Sequence, residues 1–121
     1  MMDYSKLCEN VDQLEQNLVC IVVVKSRKLI AAKVKPGSQT INEKRLSYML
    51  TQAELMVGIS KTAEDLLGRM EHVKVKYGNG LDVYLFPLEK SEEKTILGVT
   101  ILRPYNADDL IERIVEAIIT G

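Results

Sequence analysis

The sequence predicts an α/β domain of the α+β kind, with one five-stranded antiparallel sheet between helices in the order α-β-β-α-β-β-β-α. Three observations carry this. Apolar residues change along the chain from helical spacing to continuous or alternating runs and back. Successive strand-like runs are separated by only a few turn-forming residues, which favours hairpins and antiparallel neighbours. No repeat, low-complexity stretch or long linker divides residues 1–121, so the chain reads as one domain.

Leu7, Val11, Leu14 and Leu18 recur at helical spacing, which predicts an amphipathic helix from about Ser5 to Asn17 with Glu9, Asp12 and Glu15 outside. Leu18 to Lys25 is continuous and β-branched, the pattern of a central strand covered on both faces. Ser26, Arg27 and Lys28 connect it to a second strand, Leu29 to Val34, in an antiparallel hairpin. Lys35, Pro36, Gly37 and Ser38 form a turn, and Thr40 with Glu43 has capping-box spacing for a long helix from Ile41 to Lys61. Thr62 with Asp65 is a weaker cap signal, so the helix kinks or restarts before Gly68 ends it.

Val73, Val75 and Tyr77 then alternate with His72, Lys74 and Lys76, as in a one-face or edge strand. Gly78, Asn79 and Gly80 turn into a fourth strand, Leu81 to Leu88, with Asn-Gly supplying positive φ values. A charged loop, Glu89 to Lys94, leads to a fifth strand, Thr95 to Leu102. Asn106 with Asp109 caps a last helix whose broad apolar face is Leu110, Ile111, Ile114, Val115, Ala117 and Ile118.

Composition narrows the function. With 46% apolar and 27% charged residues, the chain is an ordinary globular protein that folds without disulfides. A net charge of -1 gives no global attraction to nucleic acid or anionic lipid, so neither is an expected partner. The longest apolar run, Leu18 to Val24, is too short to span a membrane, and the acidic N-terminal segment lacks a signal peptide's basic start. A cytoplasmic location is expected. Cys8 and Cys20 read as core thiols. One histidine and no clustered cysteines argue against a metal site, and no cofactor is expected.

The long helix carries a surplus of apolar surface. Leu46, Leu50, Ala53 and Val57 form the stripe that would lie on the sheet. Tyr48, Leu55 and Ile59 point nearly opposite, with Gln52 beside them and Met49 and Met56 on the flank. Such a patch marks a contact site, most simply with the same helix of a second copy about a two-fold axis. The alternative is that Thr62 to Gly68 folds back and covers it. Ala53 and Gly58 add a weak signal for close helix packing.

Together these features resemble a Roadblock domain, the fold of Roadblock-type dynein light chains, bacterial gliding-motility regulators and lysosomal Ragulator subunits. The resemblance spans nearly the whole chain. It rests on the element order, the hairpin Cys20 to Val34 (CIVVVKSRKLIAAKV), the long second helix, and Val83 to Leu88 (VYLFPL) before the fifth strand. The sequence departs from the family at Ser26, Arg27 and Lys28, where Asp-Gly is usual, and at Arg103, Pro104, Tyr105 and Asn106. This places it as a diverged relative, archaeal Roadblock-like families included. The resemblance implies a profilin-like fold, no catalytic residues, and dimerisation through the second helix and the third strand. The implied dimer interface is Tyr48, Gln52, Leu55, Met56 and Ile59 with Val73, Val75 and Tyr77. It also implies a partner: a second copy as homodimer, a related Roadblock-like chain, or a small Ras-like GTPase.

Other chemistry finds little support. There is no P-loop and no G-x-S-x-G elbow, and His72 on a lysine-flanked strand reads as a solvated residue. Glu64 with Asp65 and Asp108 with Asp109 sit near helix starts, where negative charge is favourable without catalysis. Lys25, Arg27, Lys28, Lys33 and Lys35 concentrate positive charge on the first hairpin, without interleaved aromatics for stacking on bases. The alternative function is a PAS-like or profilin-like sensor holding a small molecule, with Met49, Met56 and Met70 lining its pocket.

Overall fold

The computed structural model describes residues 3–35, 43–88 and 94–120. Its elements run α1 (Tyr4–Asp12), β1 (Leu18–Lys25), β2 (Lys28–Val34), α2 (Glu43–Lys61), α3 (Glu64–Leu67), β3 (Val73–Lys76), β4 (Leu81–Pro87), β5 (Thr95–Leu102) and α4 (Ala107–Thr120). The sheet is five-stranded in the order β2-β1-β5-β4-β3, and every neighbouring pair is antiparallel. The predicted order therefore holds, with the short α3 as the restart after the long helix. The central position belongs to β5, not to β1, which lies between β5 and the edge strand β2.

Alternation along the strands divides the core into two layers. On one face, Ile21 and Val23 of β1, Tyr84 and Phe86 of β4, and Leu97, Val99 and Ile101 of β5 pack against Leu7, Cys8 and Val11 of α1 and Leu110 and Ile114 of α4. On the other face, Val57 of α2 packs with Leu85 and Ile96, and Ala53, Met56, Met70, Val73 and Val83 are partly buried around them. Gly98 of β5 faces Val22 across the β1 register, where a Cβ would come within 3.0 Å of the Val22 side chain.

Several boundaries differ from the sequence reading, each for a local reason. α1 starts at a cap the reading missed: Asp3 accepts the Lys6 amide at 3.1 Å. It stops at Asp12 rather than Asn17 because Leu14 N–H bonds back to Val11 C=O at 3.0 Å, which opens a turn. Leu14 is still half-buried against the core, so its helical spacing recorded burial rather than helix. Asn17 instead joins two loops, donating to Pro104 C=O at 2.8 Å and accepting from Leu102 N–H at 3.0 Å.

The first hairpin turns on Ser26 and Arg27, with φ of 49° and 64°. Two consecutive left-handed residues are the requirement of a type I′ turn, which Asn-Gly meets readily and Ser-Arg does not. The second hairpin needs less than expected, since only Gly80 has positive φ (96°) and Asn79 instead accepts the Leu81 amide through its side chain at 3.3 Å. Thr62 does not cap α3. Its hydroxyl donates back to Ile59 C=O at 2.7 Å, closing α2, and Gly68 (φ 85°) ends α3. In α4, Asn106 accepts the Asp109 amide at 3.2 Å as expected, but Val115 faces solvent. The turn at Lys35 to Ser38, the Thr40 and Glu43 cap and the loop from Glu89 to Lys94 lie mostly outside the described residues.

Candidate functional site

The stripe of α2 that faces the sheet is buried at Leu50 and Val57 and half-buried at Leu46 and Ala53. The opposite side is open: Tyr48 is 66% exposed, Leu55 57% and Ile59 68%, with Gln52 exposed beside them and Met49 on the flank. α3 does not fold back over this surface, for its own Leu66 and Leu67 are 84% and 83% exposed. The covering alternative is thereby corrected: α3 carries both leucines outward, and Tyr48, Leu55 and Ile59 of α2 stay exposed.

Met56 and Val73 belong to one cluster beneath the helix, so the structure sets the C-terminal half of α2 beside the edge strand β3. Val75 is half-buried, whereas Tyr77 lies one residue beyond β3 and is exposed. Edge lysines usually discourage strand pairing. Lys74 is exposed, with its Nζ 3.8 Å from Asp82 Oδ2 and 5.6 Å from the Tyr84 ring centre.

Asp82 anchors a network that sequence reasoning missed. It is a buried carboxylate on β4, bonded by Arg103 Nη1 and by the Tyr105 hydroxyl at 2.5 Å. Because Tyr105 gives its proton to Asp82, Tyr84 is the donor in the 2.7 Å contact between the two hydroxyls. Arg103 also donates to Tyr77 C=O at 2.7 Å, which ties the loop after β5 to the end of β3. Burial alone would raise the Asp82 pKa. Hydrogen bonds from Tyr105 and Arg103 and the charges of Arg103 and Lys74 outweigh it and hold the group below its ordinary value. Burial and the bonds to Asp82 and Tyr84 raise the Tyr105 pKa. A charged residue amid alternating apolar ones in LDVYLFP was the available signal.

His72 is half-buried rather than solvated, its ring centre 5.7 Å from that of Tyr84 and 5.4 Å from that of Phe86. Part of the first hairpin's positive charge is paired: Glu54 accepts the Arg27 amide at 2.7 Å and lies 3.4 Å from its Nε. Both cysteines are free thiols, and burial with the nearby Cys20 pushes Cys8 up to about 11. Met56 and Met70 pack against the Val57, Leu85 and Ile96 cluster, while Met49 is exposed and lies outside that cluster. An open groove of about 570 Å³ lies at the start of α2, lined by Lys44, Arg45, Ser47, Tyr48 and Thr51. Among the described residues no group of three or more His, Cys, Asp or Glu side chains is placed to hold a metal, and no helix is long and apolar enough to cross a membrane.

No protein-family model matches the chain, and no curated protein matches it in sequence. Solved structures do match in shape. A Roadblock/LC7 domain from Streptomyces avermitilis superposes with a TM-score of 0.74 at 13% identity, covering 98% of this chain and 94% of that one. MglB from Myxococcus xanthus gives 0.71 at 14% identity, over 97% and 92% of the two chains. An MglB with tetrameric arrangement gives 0.70 at 14% identity, over 93% and 80%. The shared architecture, from α1 through the antiparallel sheet to α4, is that of a Roadblock-type domain, and this chain has the Roadblock/LC7 fold.

Proposed function

We propose that the chain is a non-catalytic interaction module of the cytoplasm that dimerises and, as a dimer, scaffolds or regulates a protein partner. The interface comprises Tyr48, Gln52, Leu55, Met56 and Ile59 of α2 with Val73, Val75 and Tyr77 at the β3 edge. One observation carries this reading. Tyr48, Leu55 and Ile59 form a line of large apolar side chains on a well-formed helix, and no described residue covers them. Among the described residues no strand pairs with the outer edge of β3, which lies beside the C-terminal half of α2. Self-association fits the comparison, since one structural neighbour is an MglB with tetrameric arrangement. A small Ras-like GTPase is the partner class implied by the Roadblock resemblance.

The test is solution molar mass by light scattering, for the native chain and a Leu55→Arg variant. The native chain is expected to be a dimer and the variant a folded monomer, because Leu55 contributes little burial within one protomer. A native monomer, or a variant that stays dimeric, contradicts the assigned interface.

A further inference from the structure

The two edges of the sheet are unlike. β3 runs for four residues, carries Lys74 and Lys76, and belongs to the interface proposed above. β2 runs for seven, and only Ala31 in it is buried. Leu29 is 41% exposed, Ile30 40% and Val34 50%, and Ala32 is exposed as well. Among the described residues no strand pairs with the outer side of β2. A long edge of this kind is a template for a further strand unless something blunts it.

Register fixes which groups this edge offers. Lys35 N–H donates to Val19 C=O at 2.9 Å, and the pairs of Lys33 with Ile21 and of Ala31 with Val23 keep the same phase. In an antiparallel ladder alternate residues turn both backbone groups to the same side, so Ala31 and Lys33 face β1 while Ala32 and Val34 turn their N–H and C=O outward. The side chains of Ala32 and Val34 lie on the α2 side of the sheet, level with Val22 and Cys20. Lys33 lies on the opposite side, level with Ile21 and along the strand from the buried Ala31. The edge is blunted at one end only: Ile30 is an extra residue, since Leu29 pairs with Val24 and Ala31 with Val23.

Charge selects the occupant. From Lys25 to Lys35 the chain has five cations and no acid. Arg27 is paired with Glu54, and Lys35 donates to Gln16 C=O at 3.2 Å. Among the described residues no carboxylate is within ion-pair distance of Lys28 or Lys33. A second copy of β2 would bring the same lysines to the joint, where like charges across the ladder disfavour pairing, whereas an acidic side chain opposite Lys33 favours it.

We propose that β2 is a docking edge for an extended segment of a partner protein in which apolar and acidic residues alternate. The backbone of that segment pairs with Ala32 and Val34. Its apolar side chains lie beside these two residues on the α2 side, and the acidic side chain between them meets Lys33. The surface is separate from the outer face of α2 and from β3, so the proposal stands whether or not the chain dimerises.

Amide NMR of the full chain, titrated with a terminally blocked peptide of alternating valine and glutamate as long as β2, tests it. Saturable shifts are expected at Ala32, Lys33 and Val34, with slowed hydrogen exchange at the Ala32 and Val34 amides. The matching peptide of valine and lysine is expected to bind roughly tenfold more weakly. Lys33→Glu should reverse that preference with the fold kept, because Lys33 is exposed. Ala32→Pro removes an outward N–H that the sheet does not use and should weaken binding of the glutamate peptide about tenfold. No binding of the glutamate peptide, equal binding of the two peptides, or shifts that leave β2 unmoved would overturn the proposal. So would a folded Ala32→Pro chain of lower molar mass than the native one, which would make a second copy the occupant.

Discussion

The two faces of the sheet are built differently. On the α1 and α4 face, Val11, Ile21, Val23, Tyr84, Leu97, Val99, Ile101 and Ile114 are fully buried in one cluster, closed by two helices. On the α2 face the cluster is small, with Val57, Leu85 and Ile96 at its centre, and the covering helix is apolar on its outer side as well. The first face stabilises one protomer. The second carries more apolar surface than one protomer buries, and it is on this surplus that the proposed association rests.

That comparison breaks most readily on the closed face. Ile114→Ala opens a cavity against β5 and α1 and is expected to cost about 2–5 kcal/mol in urea unfolding, without changing how protomers associate beyond the loss of folded chain. A cost below about 1 kcal/mol would show that this layer is looser than its burial implies.

A loss in the lower half of that range is expected from the polar network at the rim of the same face. Arg103→Ala takes from the buried Asp82 carboxylate its bonded cation, leaving Tyr105 and the more distant Lys74, and should cost about 3 kcal/mol, measured by thermal or urea unfolding. The smallest effect concerns acid. Asp82 is held below the ordinary carboxylate pKa of about 3.9, so its contribution is fully present above that value and lost as pH falls through its folded value. Asp82→Asn should therefore lower stability at neutral pH and flatten the decline below about pH 4. An unchanged acid profile would assign the linkage to other groups.

Much of the architecture was legible from patterning. The strand runs, the Asn106 cap and the surplus on α2 follow from hydrophobic period and cap chemistry, which are local. What escaped depends on contacts distant in sequence. Ser26 and Arg27 adopt left-handed φ although neither favours it, and the tip is tethered by Glu54 and by Lys94, whose carbonyl accepts the Ser26 amide at 3.1 Å. Asp82 went unnoticed in an apolar strand, because its partners Arg103 and Tyr105 lie far along the chain. Leu14 and Leu18 kept helical spacing after the helix had ended, because turn and strand carried them to the same core. For the interface, the sequence showed which α2 residues were in surplus. That α3 leaves them exposed is a tertiary fact, which hydrophobic period along the chain does not carry.

The central claim is that the α2 face serves association rather than the stability of a single protomer. The melting temperature of the native chain and of Leu55→Arg, each followed over a hundredfold range of concentration, tests it most directly. Association that favours the folded state makes melting depend on concentration. The native chain is expected to melt higher as concentration rises, while Leu55→Arg melts cooperatively at one temperature throughout. A native melting temperature independent of concentration, or a Leu55→Arg chain that does not fold, would contradict the account.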